Sequence, residues 1–440
     1  MRHKKPLQSI IVILALAALT VLLAKTASAQ VTYKTLYAFT GGADGNEYMD
    51  VVNGGNWFSS GLVFGADGAL YGTTAAGGNY GYGVVFNLSP NPDGSWTESV
   101  LYSFTGGSDG AYPFAGLIFD NAGNLYGTTS GGGLPGCSNA YTTGCGVVFE
   151  LTPNLDGTWT EAILYSFTGG ADGAQPETRL AFDAFGNLYG TADARGLNSS
   201  GCGGYWGFNY DGGCGVAFEL TPNPDGTWTQ TVLHQFTGGA DGAKQIGPVA
   251  LDAAGNLYTT AQGGKTGNGA VLKLARIPTG WKGNILYSFK GLDDGGDPFS
   301  FTGLVFDGSG NLYGTTFWGQ FPEAGTVFRL VPKNNGSSKW QLVHNFGTSN
   351  SYHPVAGVIF DSAGNLYGTT TSGGPRNLGE VFMITPGPNG GAEFTVLYDF
   401  SNQPLSCPFS LILDAAGNLY GTTCSSNTGA GGVFEIIRQQ

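Results

Sequence analysis

Three observations predict an all-β fold: a seven-bladed β-propeller with four antiparallel strands per blade. One phrase, GLIFDNAGNLYGTTSGG at 116–132, recurs in close variants along the chain. Aligned on its Leu-Tyr, seven copies place their tyrosines at Tyr71, Tyr126, Tyr189, Tyr258, Tyr313, Tyr367 and Tyr420, a period characteristic of propellers and solenoids. The last copy lacks one strand-like run, and the N-terminal part of the chain carries one run too many.

Each copy reads as four strands in order. The first is a short apolar run, such as Leu117-Ile118-Phe119 or Leu304-Val305-Phe306, as expected of a strand buried on both faces. A turn follows, with Asp120, Asp183, Asp252, Asp307, Asp361 and Asp414 at one place and a Gly three residues on. Asp bonds the backbone just ahead of it and Gly supplies positive φ, so the chain reverses into a hairpin. The second strand is Asn-Leu-Tyr-Gly-Thr-Thr, after which a Gly-rich loop of variable length intervenes. The third strand, Gly-x-[Val/Ala]-[Phe/Leu]-x-[Leu/Ile], runs from Gly83 to Leu88 in the first copy and from Gly431 to Ile436 in the last. The fourth resembles Thr160 to Phe167. The last copy stops after its third strand, while Thr35-Leu36-Tyr37-Ala38-Phe39 stands before any first strand. Placing that orphan on the outer edge of the last copy completes seven blades and leaves no open sheet edge.

The N-terminus predicts export. Arg2, Lys4 and Lys5 precede an apolar run from Ile10 to Ala24, and Ala27-Ser28-Ala29 forms a cleavage site. Residues 1–29 then constitute a signal peptide and 30–440 a single propeller domain starting at Gln30. Cleavage removes four of the 18 basic residues and none of the 31 acidic ones, leaving a net charge of −17. Such a surface repels nucleic acid and anionic lipid. The expectation is a secreted or periplasmic monomer with no nucleic-acid partner and no membrane contact after cleavage. Six cysteines suit an oxidising compartment. Cys137 with Cys145, and Cys202 with Cys214, each fall within one Gly-rich segment and predict local disulfides. Cys407 and Cys424 are placed by register: if Asp414 faces Gly417 across the hairpin, these two cysteines also face each other, near bonding distance.

The repeated phrases GLIFDNAGNLYGTT, GVVFELTP and ILYSFTGG resemble the GloVer tandem-repeat proteins of bacteria. The resemblance covers all of the mature chain. It implies exported proteins of unknown activity, often with one of several C-terminal anchors. This chain shows no such anchor after its seventh copy, which favours release. The Gly-Asn-Leu-Tyr hairpin is also similar to those of streptogramin lyases and gluconolactonases, a likeness that any propeller hairpin generates.

Candidate chemistry lies in the loops. The fourth-to-first loops carry Gly-Ala-Asp-Gly or Gly-Ser-Asp-Gly around Asp44, Asp109, Asp172 and Asp241. One Asp per loop supplies too few oxygens for calcium, so these read as turns. Aromatic residues in the loops are candidate ligand platforms: Trp57, Tyr80 and Tyr82 in blade 1, Tyr205 and Trp206 in blade 3, Phe317 and Trp318 in blade 5. Glu177 and Arg179 interrupt an otherwise apolar or small channel lining in blade 3. Two positions apart on a strand, they would face the same side and pair with each other or anchor a polar ligand. No catalytic residues are identifiable. Neither a metal pair, a nucleophile elbow nor a phosphate loop appears, and no cofactor is expected. The predicted function is an extracellular binding or scaffold protein for a polysaccharide or protein partner. The alternative is a propeller enzyme acting on a carbohydrate or lactone-like substrate.

Overall fold

The repeated Asp is the fastener of six of the seven hairpins, blade 1 having Gly65 at that place. In blade 2, Asp120 accepts from the backbone N–H of Ala122 (2.8 Å) and Asn124 (2.9 Å), the Asn124 side-chain amide (2.9 Å) and the Tyr126 hydroxyl (3.2 Å). Asp183, Asp252, Asp307, Asp361 and Asp414 also bond the Asn four residues on and the Tyr six residues on. One short phrase thereby satisfies its own polar groups, and this explains why it is repeated. The loop is one residue longer than the sequence reading assumed. Asp120 pairs with Asn124 rather than Gly123, and Gly123 takes φ 89°. This is a tight turn followed by a left-handed residue.

The computed structural model describes residues 31–438 apart from 47–60, 139–142, 198–201, 203–211, 244–246, 292–293, 297, 299–302, 320–323, 335, 350, 388–390, 402 and 427–428. Seven four-stranded antiparallel sheets make up the molecule, with an added two-stranded pair, Ser351–Tyr352 with Ser372–Gly373. In six blades the strand order follows the chain. The seventh runs Val31–Ala38, Gly432–Arg438, Leu419–Ser426, Leu405–Leu413, so the N-terminal strand completes it as expected. The outermost strands contact one another in sequence around the circle, and Val31–Ala38 touches those of both blade 1 and blade 6. The ring is closed. Among the described residues no helix is long and apolar enough to cross a membrane.

Blades are joined by side chains of the same repeated phrase. The second-strand Tyr meets the first-strand Phe of the next blade edge-on: Tyr71 with Phe119 at 5.0 Å, Tyr126 with Phe182 at 5.0 Å, and across the closure Tyr420 with Phe64 at 5.3 Å. The following Gly has another reason to be there. A Cβ on Gly127 would sit 2.6 Å from the ring of Phe149, its ladder partner. Blade 4 alone has Thr259 at this place, and there the partner is Leu272. The next Thr ties to the neighbouring blade: Thr73 Oγ donates to Pro113 O (2.9 Å) and Thr315 Oγ to Ala356 O (3.0 Å).

All three predicted disulfides are formed, with Cα separations of 4.9 Å for Cys137–Cys145, 5.3 Å for Cys202–Cys214 and 5.5 Å for Cys407–Cys424. The register argument for the last pair is corrected in its detail. Near the turn the ladder runs one residue out from the assumed register, with Leu413 opposite Leu419. A bulge between Pro408 and Leu411 restores it, so that Pro408 faces Thr423 and Cys407 reaches Cys424.

Candidate functional site

The fourth-to-first and second-to-third loops share a face, and backbone pairing joins them in all seven blades, as in Ala111 with Gly131, Ala174 with Ala194 and Ser406 with Ser425. Among the described residues, one position beyond Ala111, Ala174 and their equivalents, four blades carry a non-glycine residue with positive φ before a proline. These are Tyr112 (58°), Gln175 (58°), His353 (60°) and Cys407 (57°). Such a conformation is uncommon outside glycine and is held in place here by hydrogen bonds. Each N–H donates to a carbonyl of the preceding blade: Tyr82 O (2.9 Å), Cys145 O (2.9 Å), Ala324 O (3.1 Å) and Leu378 O (2.8 Å). The carbonyls of Tyr112, Gln175 and His353 accept from Ser130, Asp193 and Thr371 of their own blade, each at 3.1 Å. Sequence reasoning passed over these clamps. Their signal was the recurring X-Pro in Tyr-Pro, Gln-Pro, His-Pro and Cys-Pro.

The predicted aromatic residues fall into three groups. Trp57, Tyr205 and Trp206 lie outside the described residues. Tyr80 is 60% exposed on the blade 1 loop, and Tyr82 packs edge-on against Tyr112 at 5.7 Å. Phe317 and Trp318 are half-buried and bracket His353: Phe317 lies flat on its ring at 4.6 Å and Trp318 meets it edge-on at 5.1 Å.

His353 and Tyr352 form one wall of a cavity of about 410 Å³, completed by Ser372, Gly373, Gly374, Pro375 and Asn377. The added strand pair of blade 6 shapes it. The Asn377 side-chain oxygen Oδ1 accepts from the Gly373 N–H (2.9 Å). Near Gly374 lies Glu380, 5% exposed, whose Oε2 accepts a hydrogen bond from the Ser351 hydroxyl. Burial raises its pKa, and the Asp399 charge pushes in the same direction. Other blades place Val84, Val147, Val216, Ala270, Thr326 or Gly432 at this position. A charged residue in an otherwise small or apolar slot was the sequence signal, and it was missed.

Glu177 and Arg179 do not pair with each other. The chain bends at Thr178, so the two-residue alternation of a strand does not apply. Glu177, 6% exposed, accepts from the Ser130 hydroxyl of blade 2 at 2.7 Å. Arg179 occupies the place that Gly61, Gly116 and Gly357 hold on other innermost strands. Its side chain is solvent-accessible, yet surrounding protein disfavours its charge.

Burial pushes Glu177 up to about 7 from an ordinary 4.5. An acid shifted upward stabilises the fold below its unfolded pKa, and the contribution fades as pH rises through the folded value. Glu98 and Glu161, also pushed up to about 7 by partial burial, act in the same sense. Urea unfolding at pH 5 and pH 8 is therefore expected to show Glu177→Gln gaining about 1–3 kcal/mol on the native chain at the higher pH. The same pH slope in both proteins would refute this.

The acidic loops behave as turns. Asp109 accepts from Thr105 N–H (2.8 Å) and Oγ (2.5 Å), Gly107 N–H (3.2 Å) and the Tyr102 hydroxyl (3.2 Å). Asp44 and Asp172 repeat the pattern, and after blade 3 His234 of its fourth strand takes the tyrosine's place on Asp241 at 3.0 Å. Among the described residues no group of three His, Cys, Asp or Glu is arranged to hold a metal.

The closed ring and the loop-face cavity define a β-propeller with a ligand-sized recess on the loop face of blade 6. The chain belongs to the Gloeobacter/Verrucomicrobia repeat family, whose model matches residues 21–203 and 203–437. No curated protein sequence matches it. Solved structures of similar shape include PorZ of Porphyromonas gingivalis, described as an essential surface component of the type-IX secretion system. It shares 16% identity at a TM-score of 0.49 over 86% of this chain, which spans 46% of PorZ. A gluconolactonase of Xanthomonas campestris shares 12% identity at a TM-score of 0.39, covering 93% of this chain and 90% of its own. Neither likeness is close enough to carry a function.

Proposed function

We infer that this is an exported propeller that binds an extracellular polysaccharide in the cavity on the loop face of blade 6. The observation that carries this reading is the aromatic wall of that cavity. Tyr352 and His353 line it, and Phe317 and Trp318 hold the His353 ring in a fixed plane. A flat ring presented beside hydroxyl and amide groups suits the apolar face and polar rim of a sugar, and the volume falls within the range of small-ligand sites. The three disulfides support an oxidising destination. A glycan and peptidoglycan binding screen on the chain from Gln30 tests the reading. Tyr352→Ala is expected to weaken binding by about 1–3 kcal/mol, as for an aromatic anchor. Trp318→Ala is expected to weaken it less, because it acts through His353. Failure of the native chain to bind any glycan, or full affinity in both variants, would sink it.

A further inference from the structure

We propose that the blade 6 cavity selects an N-acetylated sugar, and that the side-chain amide of Asn377 reads its acetamido carbonyl. This rests on the carbohydrate reading above and names the class of sugar. Blade 6 carries side chains where blades 2 and 3 have a methyl or nothing. Tyr352 pairs with Ser372 across the added strand pair, at the place where Ala111 pairs with Gly131 and Ala174 with Ala194. Asn377 stands two residues before the glycine that opens the third strand, with φ 57°. The corresponding loops of blades 1 and 4 have Gly81 at 86° and Gly267 at 80°. The Asn377 N–H donates to Gly374 O at 3.2 Å, as that of Gly267 does to Gly264 O. Glycine is the least strained residue in this conformation, so an Asn here points to a use for its side chain. Tyr352, Ser372 and Asn377 all line the cavity.

The orientation of that amide is fixed. Its Oδ1 accepts from the Gly373 N–H at 2.9 Å, so the other end is Nδ2. Among the described residues Nδ2 has no hydrogen-bond partner, and neither has the Ser372 hydroxyl. What Asn377 offers a ligand is therefore a pair of N–H donors, and these call for an acceptor. An acetamido group matches the lining twice. Its carbonyl oxygen accepts without donating, and its methyl finds apolar surface on Tyr352 and Pro375. A carboxylate would also accept. The chain's balance of 31 acidic against 18 basic residues sets its field against an anionic sugar, and Arg376 of the same turn does not line the cavity.

Calorimetric titration of the chain from Gln30 with tetramers of N-acetylglucosamine and of glucose, in the same linkage, decides it. The N-acetylated tetramer is expected to bind about tenfold more tightly, as one or two net hydrogen bonds would give. Asn377→Asp keeps an acceptor for the Gly373 N–H and a residue type that tolerates positive φ, but turns the donor into a second acceptor. It is expected to bring the two tetramers within about twofold of each other. Asn377→Gly keeps the left-handed backbone and removes the amide. It serves if Asn377→Asp does not fold, and the same loss of preference is expected. Equal binding of the two tetramers by the native chain would overturn the acetamido contact and leave the carbohydrate reading standing. A preference that survives Asn377→Asp would reduce Asn377 to a turn residue and overturn the proposal. An N-acetylated alanine tetrapeptide binding as tightly as the sugar would overturn it as well. Loss of all sugar binding, in this titration and in the glycan screen together, would remove the reading on which it rests and the proposal with it.

Discussion

A chain that begins at Phe39 is expected to lose cooperative unfolding and to associate. Strand Val31–Ala38 supplies the outer ladder of blade 7, pairing from Val31 opposite Arg438 to Ala38 opposite Gly432. Tyr33 stacks on Tyr398 at 4.6 Å with nearly parallel planes and meets Phe400 edge-on at 5.7 Å, while Leu36 is 8% exposed. Removing the strand uncovers those rings and leaves Gly432–Arg438 as an unpaired edge, which invites another chain. Tyr33→Ala alone is expected to cost about 2–4 kcal/mol, since its ring is only partly buried. Loss of the whole strand exceeds that several-fold, against a usual margin of about 5–15 kcal/mol for a folded protein. Thermal unfolding and gel filtration give the answer. A peptide spanning 31–39 added in trans should restore the monomer by strand addition. A truncated chain that melts within a few degrees of the native one would show that the closure contributes little.

The second large effect is an incompatibility inside each blade. Gly127→Ala places a methyl 2.6 Å from the Phe149 ring and 2.9 Å from a Leu117 methyl, and overpacking of this kind costs about 1–3 kcal/mol. Phe149 is fully buried, so Phe149→Leu is costly by itself. Together the two should cost less than the separate losses added, with a coupling of about 0.5–3 kcal/mol. Blade 4 already contains the compensated pair, Thr259 opposite Leu272. Urea denaturation of the four proteins measures the coupling. Strictly additive losses would mean that the glycine is there for some other reason.

The ring was readable because its code is local and repeated. Asp120, Asn124 and Tyr126 bond one another within seven residues, so the phrase and the hairpin are the same object. Closure was readable from what was missing at one end and extra at the other. The register beside Cys407 was not, because a bulge is a backbone choice that leaves no fixed residue type behind. The site was only partly readable. Phe317 and Trp318 stood out as loop aromatics, but their hold on His353 depends on contact between two blades. Glu177 and Arg179 stood out as charges, and a bend at Thr178 turned them apart. Glu380 was hidden inside a strand motif whose other copies are small or apolar.

The left-handed residues before proline have a consequence for how such a ring can change. Their backbones are bonded on the N–H side to one blade and, at Tyr112, Gln175 and His353, on the carbonyl side to the next. The side chain takes no part in that bonding, and the four positions hold a tyrosine, a glutamine, a histidine and a half-cystine. The scaffold thus behaves like a setting with interchangeable stones. At the two partly exposed positions, Tyr112 and His353, a new specificity can be tried by a single codon change while the other blades go on holding the circle shut.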